Sequence, residues 1–389
     1  MKKTDQITMR DHNQRLVLQA LFNAKETSRA QLAVDLELHK STISSIYRDL
    51  DDIGFIEDLG EGDTTETGGR KAKMIRFNRN YGFVVAFDMG RHHLRMAQVR
   101  LSGEVIATDE FDVDGLTLKQ VVDLMMKNLH RIKPQKYGTQ EGVMGIAVGV
   151  HGVVDQNQVT YSPFFDYSGI DLADLLGQVI SVPVLLENEA NYAAVYIRDY
   201  HDYRQLDQYD NLIALNIHYG IGAGIIIDGQ LYRGLAGRAG EVGRSIVWSQ
   251  NKEIVRMEDL YSEDAMLKRL AEALGKKEVV RADFVACASH NAPETTALID
   301  DWVRGIAQMA YDIIQTYAPQ ALFIHSRFIA EMPELLGRVI EVYQDLNPTC
   351  QSELLFANHS VYQATLLGGA ASMTRHVLDL EDVDLKFSH

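Results

Sequence analysis

A glycine-rich stretch is the most informative candidate for chemistry in this sequence. Between two apolar, β-like runs, Leu212–Ile217 and Gly224–Ile227, the chain reads Gly-x-Gly-x-Gly at 220–224. Glycines at this density let backbone amides approach a phosphate or a sugar, because no Cβ atom intervenes. The layout is typical of a phosphate-binding hairpin, but His218-Tyr219 stands where such a loop needs a hydroxyl or another glycine. The stretch therefore predicts either a sugar kinase or a kinase scaffold with another use.

The histidines and cysteines give little support for a metal site. Neither i, i+4 nor His-x-His spacing with a nearby carboxylate, the usual signature of zinc, is present among the candidate histidines. We therefore expect satisfied or solvent-facing histidines, no bound metal and no other cofactor. The two cysteines, Cys287 and Cys350, lie far apart, which is typical of a reduced, cytoplasmic protein. The histidines considered are His92, His93, His151 and His218.

Length and charge bound the classes of protein that this chain can be. A chain of 389 residues suffices for two or three domains, and no apolar run is long enough to span a membrane. The N-terminus lacks the apolar core of a secretory signal. Residues 1–80 hold 13 basic and 13 acidic residues, whereas the remainder holds 25 and 41 and carries the whole net charge of −16. A neutral N-terminal segment on an acidic body permits specific DNA binding.

Residues 1–80 predict a DNA-binding domain. Apolar periodicity and a capping-box pattern at Ser28–Gln31 predict three helices, and a hairpin follows. Helix, helix, turn, helix and hairpin is the order of a winged helix-turn-helix. The alternative is a three-helix interaction module with a solvated polar face. The predicted helices are Arg15–Ala24, a short one from Ser28, and Lys40–Asp51, and the return strand of the hairpin is Lys73–Phe77.

The third helix leaves short hydroxyls and cations on its exposed face. Such side chains suit base edges and phosphates in a major groove, and cations at the tip of the wing suit a minor groove. The predicted DNA contacts are Lys40, Ser41, Thr42, Ser44, Ser45 and Arg48 from the helix, and Arg70 and Lys71 from the wing.

Beyond residue 80, strands and helices alternate in two similar series. The first series begins with a buried strand, Phe83–Gly90, that ends in Asp-x-Gly, and the second begins at Leu212. This duplication predicts a two-lobed α/β body, residues 81–389, with a cleft between its lobes. The first lobe is expected to span about 81–195 plus a C-terminal helix, and the second about 196–360. A continuous helix is expected over Glu258–Leu274, and the acidic tail Asp379–Asp384 is expected to be a solvated end.

Five short motifs, taken in order, resemble those of the ROK family, which groups repressors, open reading frames and sugar kinases. The resemblance covers about residues 10–375. It implies an actin/hexokinase-like fold of two α/β lobes, whose interlobe cleft binds a sugar. The motifs are Asp88-Met89-Gly90, Gly149–Asp155, Glu187–Asn191, the Gly220–Gly224 turn and Ala239–Arg244.

The resemblance also implies which residues contact the sugar. In kinases of the family an Asn-Asp pair holds a sugar hydroxyl and the Asp is the catalytic base, but this chain has Asn188-Glu189, whose carboxylate lies one methylene further out. The family's Glu-x-Gly-His motif is Glu-Val-Gly-Arg here. The implied sugar contacts are Asn188, Glu189, Glu241, Arg244 and Glu258, and no residue is assigned a catalytic role.

The nucleotide side of the family pattern is lost in three places. The family's Asp-x-Gly-Gly-Thr loop continues here as Arg91-His92-His93, and its Gly-Thr-Gly loop is His218-Tyr219-Gly220. His325-Ser326 replaces a late Gly-Gly pair, and Val247–Met257 contains none of the cysteines of the family's zinc loop. Together these losses argue against ATP chemistry.

The sequence therefore predicts a sugar-responsive transcriptional repressor in the cytoplasm. It would read a palindromic operator in double-stranded DNA as a homodimer or higher homo-oligomer. The resemblance is strongest to the xylose-responsive branch of the family, so xylose is the expected effector. Two alternatives stay open: a sugar kinase, and a sugar-binding scaffold whose N-terminal module docks a protein.

Overall fold

The fold is a small N-terminal unit joined to a larger two-lobed body. None of the helices in the part of the chain described here is long and apolar enough to cross a bilayer. One predicted wing contact, Arg70, lies outside the described residues. The computed structural model describes residues 3–62, 71–133, 138–200, 209–248, 253–290, 292–349, 351–356 and 361–387.

The N-terminal unit has the element order of a winged helix-turn-helix. Leu21, Ile46 and Leu50 are fully buried where its helices pack together, and Gly54 ends the third helix with a left-handed φ of 97°. The strands form an antiparallel sheet in the order β1-β3-β2. The elements are α1 (Lys3–Asn23), β1 (Thr27–Ser28), α2 (Arg29–Asp35), α3 (Lys40–Ile53), β2 (Ile56–Glu61) and β3 (Lys73–Phe77).

Only half of the predicted capping box forms at α2. The Ser28 hydroxyl accepts a hydrogen bond from the backbone amide of Gln31 at 3.2 Å. The Gln31 side chain instead donates to Asp35 at 2.6 Å, one helical turn further on. A single side-chain cap therefore starts this helix.

The first lobe of the body is a five-stranded sheet in the order β10-β7-β4-β5-β6. Its centre, β4, runs parallel to β7 and antiparallel to β5, and every residue of β4 is buried. The elements are β4 (Gly82–Met89), β5 (His93–Arg100), β6 (Val105–Asp112), α4 (Leu118–Arg131), β7 (Gly142–Val150), β8 (Val153–Asp155), β9 (Gln158–Tyr161), α5 (Leu172–Ile180), β10 (Val184–Asn188) and α6 (Glu189–Asp199).

The second lobe is another five-stranded sheet, in the order β13-β12-β11-β16-β17. Parallel pairing of β11 with β16 and of β16 with β17 places their carboxyl ends at the cleft edge. The elements are β11 (Leu212–Ile217), β12 (Ile221–Ile227), β13 (Gln230–Leu231), β14 (Ile246–Trp248), β15 (Ile254–Arg256), α7 (Met257–Tyr261), α8 (Glu263–Ala273), α9 (Arg281–Ser289), α10 (Pro293–Tyr317), β16 (Ala321–Ser326), α11 (Arg327–Glu331), α12 (Glu334–Leu346), β17 (Glu353–Phe356) and α13 (Val361–Val377).

Two helices hold the lobes together. α13 packs along α6 and against β4 and β7 of the first sheet, whereas α6 also packs against β11 and β12 of the second. The lobe boundary expected near residue 195 falls within α6. This helix is therefore shared by both lobes.

The prediction of a phosphate-binding glycine turn is wrong for most of the glycine run. Gly222 and Gly224 lie inside β12, and the turn comprises His218–Gly220. A Cβ atom on Gly224 would lie 2.1 Å from the backbone oxygen of Ala190 in α6. Gly224 is thus required because a strand and a helix pack backbone to backbone at this point.

The predicted helix over Glu258–Leu274 is two helices. Ser262 adopts an extended conformation between α7 and α8, and its hydroxyl caps α8 by accepting from the amide of Ala265 at 3.2 Å. Residues of both helices border the cleft, among them Glu258 of α7 and Asp264 of α8.

The interpretation of the acidic tail as a solvated end is wrong. Gln19 and Asn23 of α1 donate to the backbone oxygen of Asp384 at 3.0 and 2.9 Å. The ring of Phe387 packs between Phe22 of α1 and Tyr200 beyond α6, at centroid distances of 5.2 and 5.4 Å. Residues 378–387, which we call the strap, therefore fasten the N-terminal unit to the body, although some of their carboxylates face water.

A buried ion cluster anchors the strap to the end of α6. Asp199 is completely buried and accepts two hydrogen bonds from Arg198 and two from Arg375, at 2.7–3.0 Å. Burial alone would raise the pKa of Asp199, but the two guanidinium groups hold it below its usual value. Arg375 also donates to the backbone of Val383 in the strap, and the backbone amide of Phe387 donates to Asp199 at 3.1 Å. The cluster thus links α6, α13 and the strap.

Candidate functional site

The cleft between the lobes holds a cavity of about 630 Å³. This volume suits a small ligand. The structure brings all of the predicted sugar contacts to its wall, which includes Asn188, Glu189, Glu241, Arg244 and Glu258.

Asn188 is the positioning residue of this wall. Its side-chain oxygen caps α6 by accepting from the amides of Ala190 and Asn191 at 2.8 and 3.2 Å. Its amide group donates to Gly152 at 2.9 Å and to the Glu189 carboxylate at 2.8 Å. Since its hydrogen-bonding capacity is used within the protein, Asn188 holds Glu189 in place, and Glu189 presents its carboxylate to the cavity.

Glu189 lies beside a histidine at the base of the cavity. Burial raises the pKa of the Glu189 carboxyl, and the charge of His151 opposes that shift. The two side chains approach to 3.8 Å. Burial would lower the pKa of His151, but Glu189 and Asp88 raise it above the ordinary value. The contact therefore favours the charged form of His151, whereas burial works against the charged form of Glu189.

The opposite wall carries a second carboxylate and a fixed cation. Glu241 pairs with Arg244 at 3.2 Å, and the Arg244 guanidinium stacks 4.6 Å above the ring of Tyr161. The stacking and the ion pair hold the guanidinium in one orientation, from which it can donate two parallel hydrogen bonds to a ligand. Glu258 completes this wall, where a Cβ on Gly220 would lie 3.1 Å from its carboxylate. Carboxylate acceptors and a guanidinium donor around one cavity suit a ligand with several hydroxyl groups.

Aromatic side chains from both lobes line the mouth of the cavity. Tyr219 lies between His92 and Phe164, at centroid distances of 5.5 and 6.2 Å. Phe164 and Tyr161 line the cavity, whereas Phe165 packs into the core of the first lobe.

Asn216 is a candidate contact that the sequence analysis missed. It lies in β11, is 4% exposed and lines the cavity, and its side-chain oxygen has no hydrogen-bond partner among the described residues. Buried polar atoms are normally paired, so this oxygen is available to a ligand hydroxyl. In the sequence, the signal for this contact was the amide side chain of Asn216 within the otherwise apolar run Leu212–Ile217.

An internal carboxylate occupies the strand end that the resemblance assigns to the nucleotide. Glu263 accepts from the Ser326 hydroxyl at 2.8 Å and from the amides of Arg327 and Phe328 at 2.6 and 3.2 Å. Burial raises the pKa of Glu263, and these donors oppose that shift. The amides at the start of α11 are thus satisfied by the protein itself, which disfavours a phosphate there.

His325 should make the protein less stable in mild acid. Its ring is 1% exposed, neither nitrogen has a hydrogen-bond partner among the described residues, and burial lowers its pKa to about 4. Because the unfolded ring takes up a proton near pH 6.5, native stability falls as the pH drops from 6.5 towards 4, by roughly 2 kcal/mol at pH 5. Urea unfolding at pH 7.5 and at pH 5 measures this effect. The free energy of unfolding of His325→Leu should not show this fall between the two pH values. The exposed-ring control His130→Leu should retain it, and equal acid sensitivity in all three proteins would contradict the assignment.

Two of the histidines that the sequence left without a partner meet a carboxylate in the structure. Asp88, at the end of β4, lies 3.2 Å from the Nε2 atom of His93 and 3.6 Å from that of His151. The Asp88 carboxylate satisfies the ring of His93, in line with the expectation of satisfied or solvent-facing histidines. His93 begins β5, which runs antiparallel to β4, and His151 directly follows β7, which runs parallel to β4. Strand pairing therefore brings His151 close to Asp88, although the two are far apart in sequence. His92 instead lies at the surface, 2.6 Å from Asp114.

The predicted DNA contacts of α3 share one face of the N-terminal unit. Lys40, Ser41, Ser45 and Arg48 are exposed and Thr42 and Ser44 are half-buried, whereas Ile43, Ile46 and Leu50 face the core. Lys71 is exposed at the described edge of the wing. The helix is thus free to enter a groove.

These features define a class: a protein whose body is a two-lobed, actin/hexokinase-like fold with a cleft, joined to an N-terminal unit that has the element order of a winged helix-turn-helix. The family profile described as "ROK family" matches residues 84–376. The chain belongs to the ROK family, and the predicted fold class is confirmed.

Relatives of known name extend the match over the N-terminal unit. The chain is 36% identical to the xylose repressor of Lactiplantibacillus pentosus over 384 residues, covering 97% of this chain and 96% of that protein. It is 28% identical to the xylose repressor of Staphylococcus xylosus over 380 residues, covering 96% and 97%.

The similar solved structures include a regulator that matches nearly the whole chain and a kinase that matches only part of it. A ROK family transcriptional regulator, a homologue of the E. coli MLC protein, is similar with a TM-score of 0.78 and 21% identity, covering 96% of this chain and 98% of that one. A ROK family glucokinase from Streptomyces griseus, in complex with glucose and AMPPNP, has a TM-score of 0.63 and 21% identity, covering 74% of this chain and 98% of that one. The kinase thus shares a fold with about three quarters of this chain, and the regulator with nearly all of it.

Proposed function

We propose that this protein is a sugar-responsive transcriptional repressor of carbohydrate-utilisation genes, acting in the cytoplasm. Its winged helix binds double-stranded operator DNA, and a sugar in the cleft changes operator affinity. Full-length similarity to xylose repressors supports this function and favours xylose as the effector. A palindromic operator calls for two reading helices, so the protein acts as a homodimer or higher homo-oligomer.

One observation carries the proposal: a single helix connects the candidate ligand site to the DNA-binding unit. α6 begins at Glu189 in the cleft and ends at Asp199, the anchor of the strap that holds α1. A ligand that draws Glu189 and the opposite wall together therefore acts on a helix whose far end bonds to the strap, and the strap in turn bonds to α1.

The sugar contacts are proposed to be Glu189, Glu241, Arg244 and Glu258, with Asn188 positioning Glu189. The acceptors on opposite walls would bind hydroxyls of one sugar, which favours closure of the lobes. Asn216 adds a contact from the floor of the cavity.

Duplexes selected from a random library with the full-length protein provide the operator for the direct test. Arg48→Ala should weaken binding to the selected duplex by roughly 10- to 100-fold, because an exposed guanidinium on the reading helix is lost. Fluorescence anisotropy at several salt concentrations measures both the affinity and its salt dependence. The effect of sugars is measured with the same duplex, by adding xylose, glucose or N-acetylglucosamine to the unsubstituted protein.

Arg131→Ala is the matched control, since Arg131 is an exposed arginine at the end of α4, in the body. It should bind DNA as the unsubstituted protein does. If Arg48→Ala and Lys40→Ala both kept full affinity, the assignment of α3 as the reading helix would fail. If no duplex were enriched, the scaffold whose N-terminal module docks a protein would be favoured.

Sugar phosphorylation is disfavoured as the function of this chain. Glu263 satisfies the amides at the start of α11, and Glu189 replaces the catalytic aspartate of the family's kinases. A coupled assay for ADP release over a panel of hexoses and pentoses should therefore stay at background. Sugar-dependent ADP release that Glu189→Gln abolishes would restore the kinase alternative.

A further inference from the structure

A second, much smaller cavity lies beneath the cleft, among side chains that the proposed function leaves unused. It measures about 20 Å³, room for one water molecule or one ion but not for a phosphate. Its wall includes Asp88, His93 and His151, and it shares Glu189 and Asn216 with the cleft above. The three donor side chains come from the ends of β4 and β7 and the start of β5, which the sheet holds rigidly side by side.

The donor atoms lie close to one another. The Oδ2 atom of Asp88 is 3.2 Å from His93 Nε2, and its Oδ1 atom is 3.6 Å from His151 Nε2. Ligands bonded to a tetrahedral Zn²⁺ at about 2.1 Å lie about 3.4 Å apart, so each separation is near that of two neighbouring ligands, with one imidazole on each oxygen of the carboxylate. The available ligand atoms of all three residues lie within 4.8 Å of one another.

One of these donors is unsatisfied without an ion. Asp88 is 4% exposed, and its Oδ1 atom has no hydrogen-bond partner among the described residues. The contact of Oδ1 with His151, at 3.6 Å, is too long for a good hydrogen bond. A buried carboxylate oxygen without a partner is costly, and a cation between it and the imidazoles would supply that partner.

We propose that Asp88, His93 and His151 bind one divalent transition-metal ion of the Zn²⁺ type. Two imidazole nitrogens and one carboxylate oxygen are borderline donors that suit Zn²⁺ better than Mg²⁺ or Ca²⁺. Three protein ligands leave the fourth position of the ion open, on the side of the shared wall with the cleft.

The surroundings of the three ligands resemble a second coordination shell. Glu189 lies 3.8 Å from the Nδ1 atom of His151, so a carboxylate faces the ring nitrogen that would not bind the ion. Arg95 donates to Asp88 Oδ2 at 3.0 Å and contacts Glu110 at 3.3 Å, which orients the carboxylate. The positive charge of Arg95 is thus shared with Glu110, and the wall of the small cavity holds two carboxylates, Asp88 and Glu189, beside the guanidinium groups of Arg95 and Arg327.

The test uses the full-length, untagged protein, stripped with a chelator and dialysed against Zn²⁺ or Co²⁺ alone. We expect one tightly bound ion per chain by elemental analysis, and a visible absorption band of tetrahedral type with Co²⁺. His93→Ala and His151→Ala should each weaken this binding by roughly 100-fold or more, since each removes a ligand. His92→Ala is the matched control, because this adjacent histidine pairs with Asp114 at the surface and should bind the ion normally.

Two results would overturn the proposal. One is the absence of stoichiometric binding at micromolar Zn²⁺, which would mean that the cluster is held by protonated imidazoles or by a water molecule. The other is unchanged binding in both alanine variants, which would place the ion at other histidines. Should these variants fail to fold, X-ray absorption of the Zn²⁺-loaded unsubstituted protein decides, because the proposal requires two imidazoles and one or more oxygens around zinc.

Discussion

Glu189→Gln should raise the dissociation constant for the effector sugar roughly 10- to 150-fold. A hydrogen bond to a charged group contributes about 1.5–3 kcal/mol when the group is buried, and Glu189 is the buried carboxylate that Asn188 aims into the cleft. Glutamine keeps the size of the side chain and an oxygen that can accept from Asn188, so the change removes the charge and leaves the wall in place.

Thermal and chemical unfolding with and without sugar measure this effect through linkage. At a sugar concentration of 100 times the dissociation constant, the unsubstituted protein gains about 2.7 kcal/mol, and the variant should gain only about 0.3–1.4 kcal/mol. Glu241→Ala should reduce the gain in the same way from the opposite wall. Glu278→Gln, an exposed acidic residue outside the cleft, should leave it intact. If sugar stabilised both cleft variants as much as it stabilises the unsubstituted protein, the sugar would not bind in this cavity.

Asp199→Ala should lower the free energy of unfolding by about 3–5 kcal/mol, because it leaves two buried arginines without a counter-charge. The melting temperature should fall by roughly 10 °C, from the scaling that relates stability to melting temperature. Asp382→Ala is the control within the strap: its carboxylate is 79% exposed and pairs with Arg15 at 3.5 Å, so its loss should cost less than about 1 kcal/mol.

The same cluster should also carry the response to sugar. If Asp199→Ala is too unstable, Phe387→Ala weakens the packing of the strap on Phe22 and Tyr200 without leaving a charge unpaired. Sugar affinity should be nearly unchanged in this variant, while the change in operator affinity on adding sugar should shrink. An unaltered response would show that the signal reaches the winged helix by another route.

The sequence was sufficient for the order of elements and for the residues of the cleft wall. Local sequence patterns placed β3 over Lys73–Phe77 and β11 over Leu212–Ile217 with the bounds that the structure has. The five implied sugar contacts meet in one cavity. Such features depend on local pattern or on short motifs, which one sequence displays directly.

What could not be predicted depends on pairs of residues that meet only after folding. Gly224 is a glycine because of Ala190, and the role of Asp88 depends on His151, which joins it through strand pairing. The strap was misread because most of its carboxylates are indeed exposed, while its backbone accepts hydrogen bonds from α1 and four of its apolar side chains are buried. Composition reports the exposed charges and not the backbone partners.

The strap lies far along the sequence from the N-terminal unit that it fastens, so it is translated long after that unit. Gln19 and its partner Asp384 are separated by 365 positions, and at 5–20 residues per second the ribosome needs roughly 20–70 s to pass from one to the other. During that interval the winged unit has left the exit tunnel with Phe22 lacking its cover from Phe387. A nascent chain can therefore expose a reading helix well before it possesses the body that is proposed to govern it. For a repressor, the strap therefore completes the joint between DNA binding and its control only after the body has been translated.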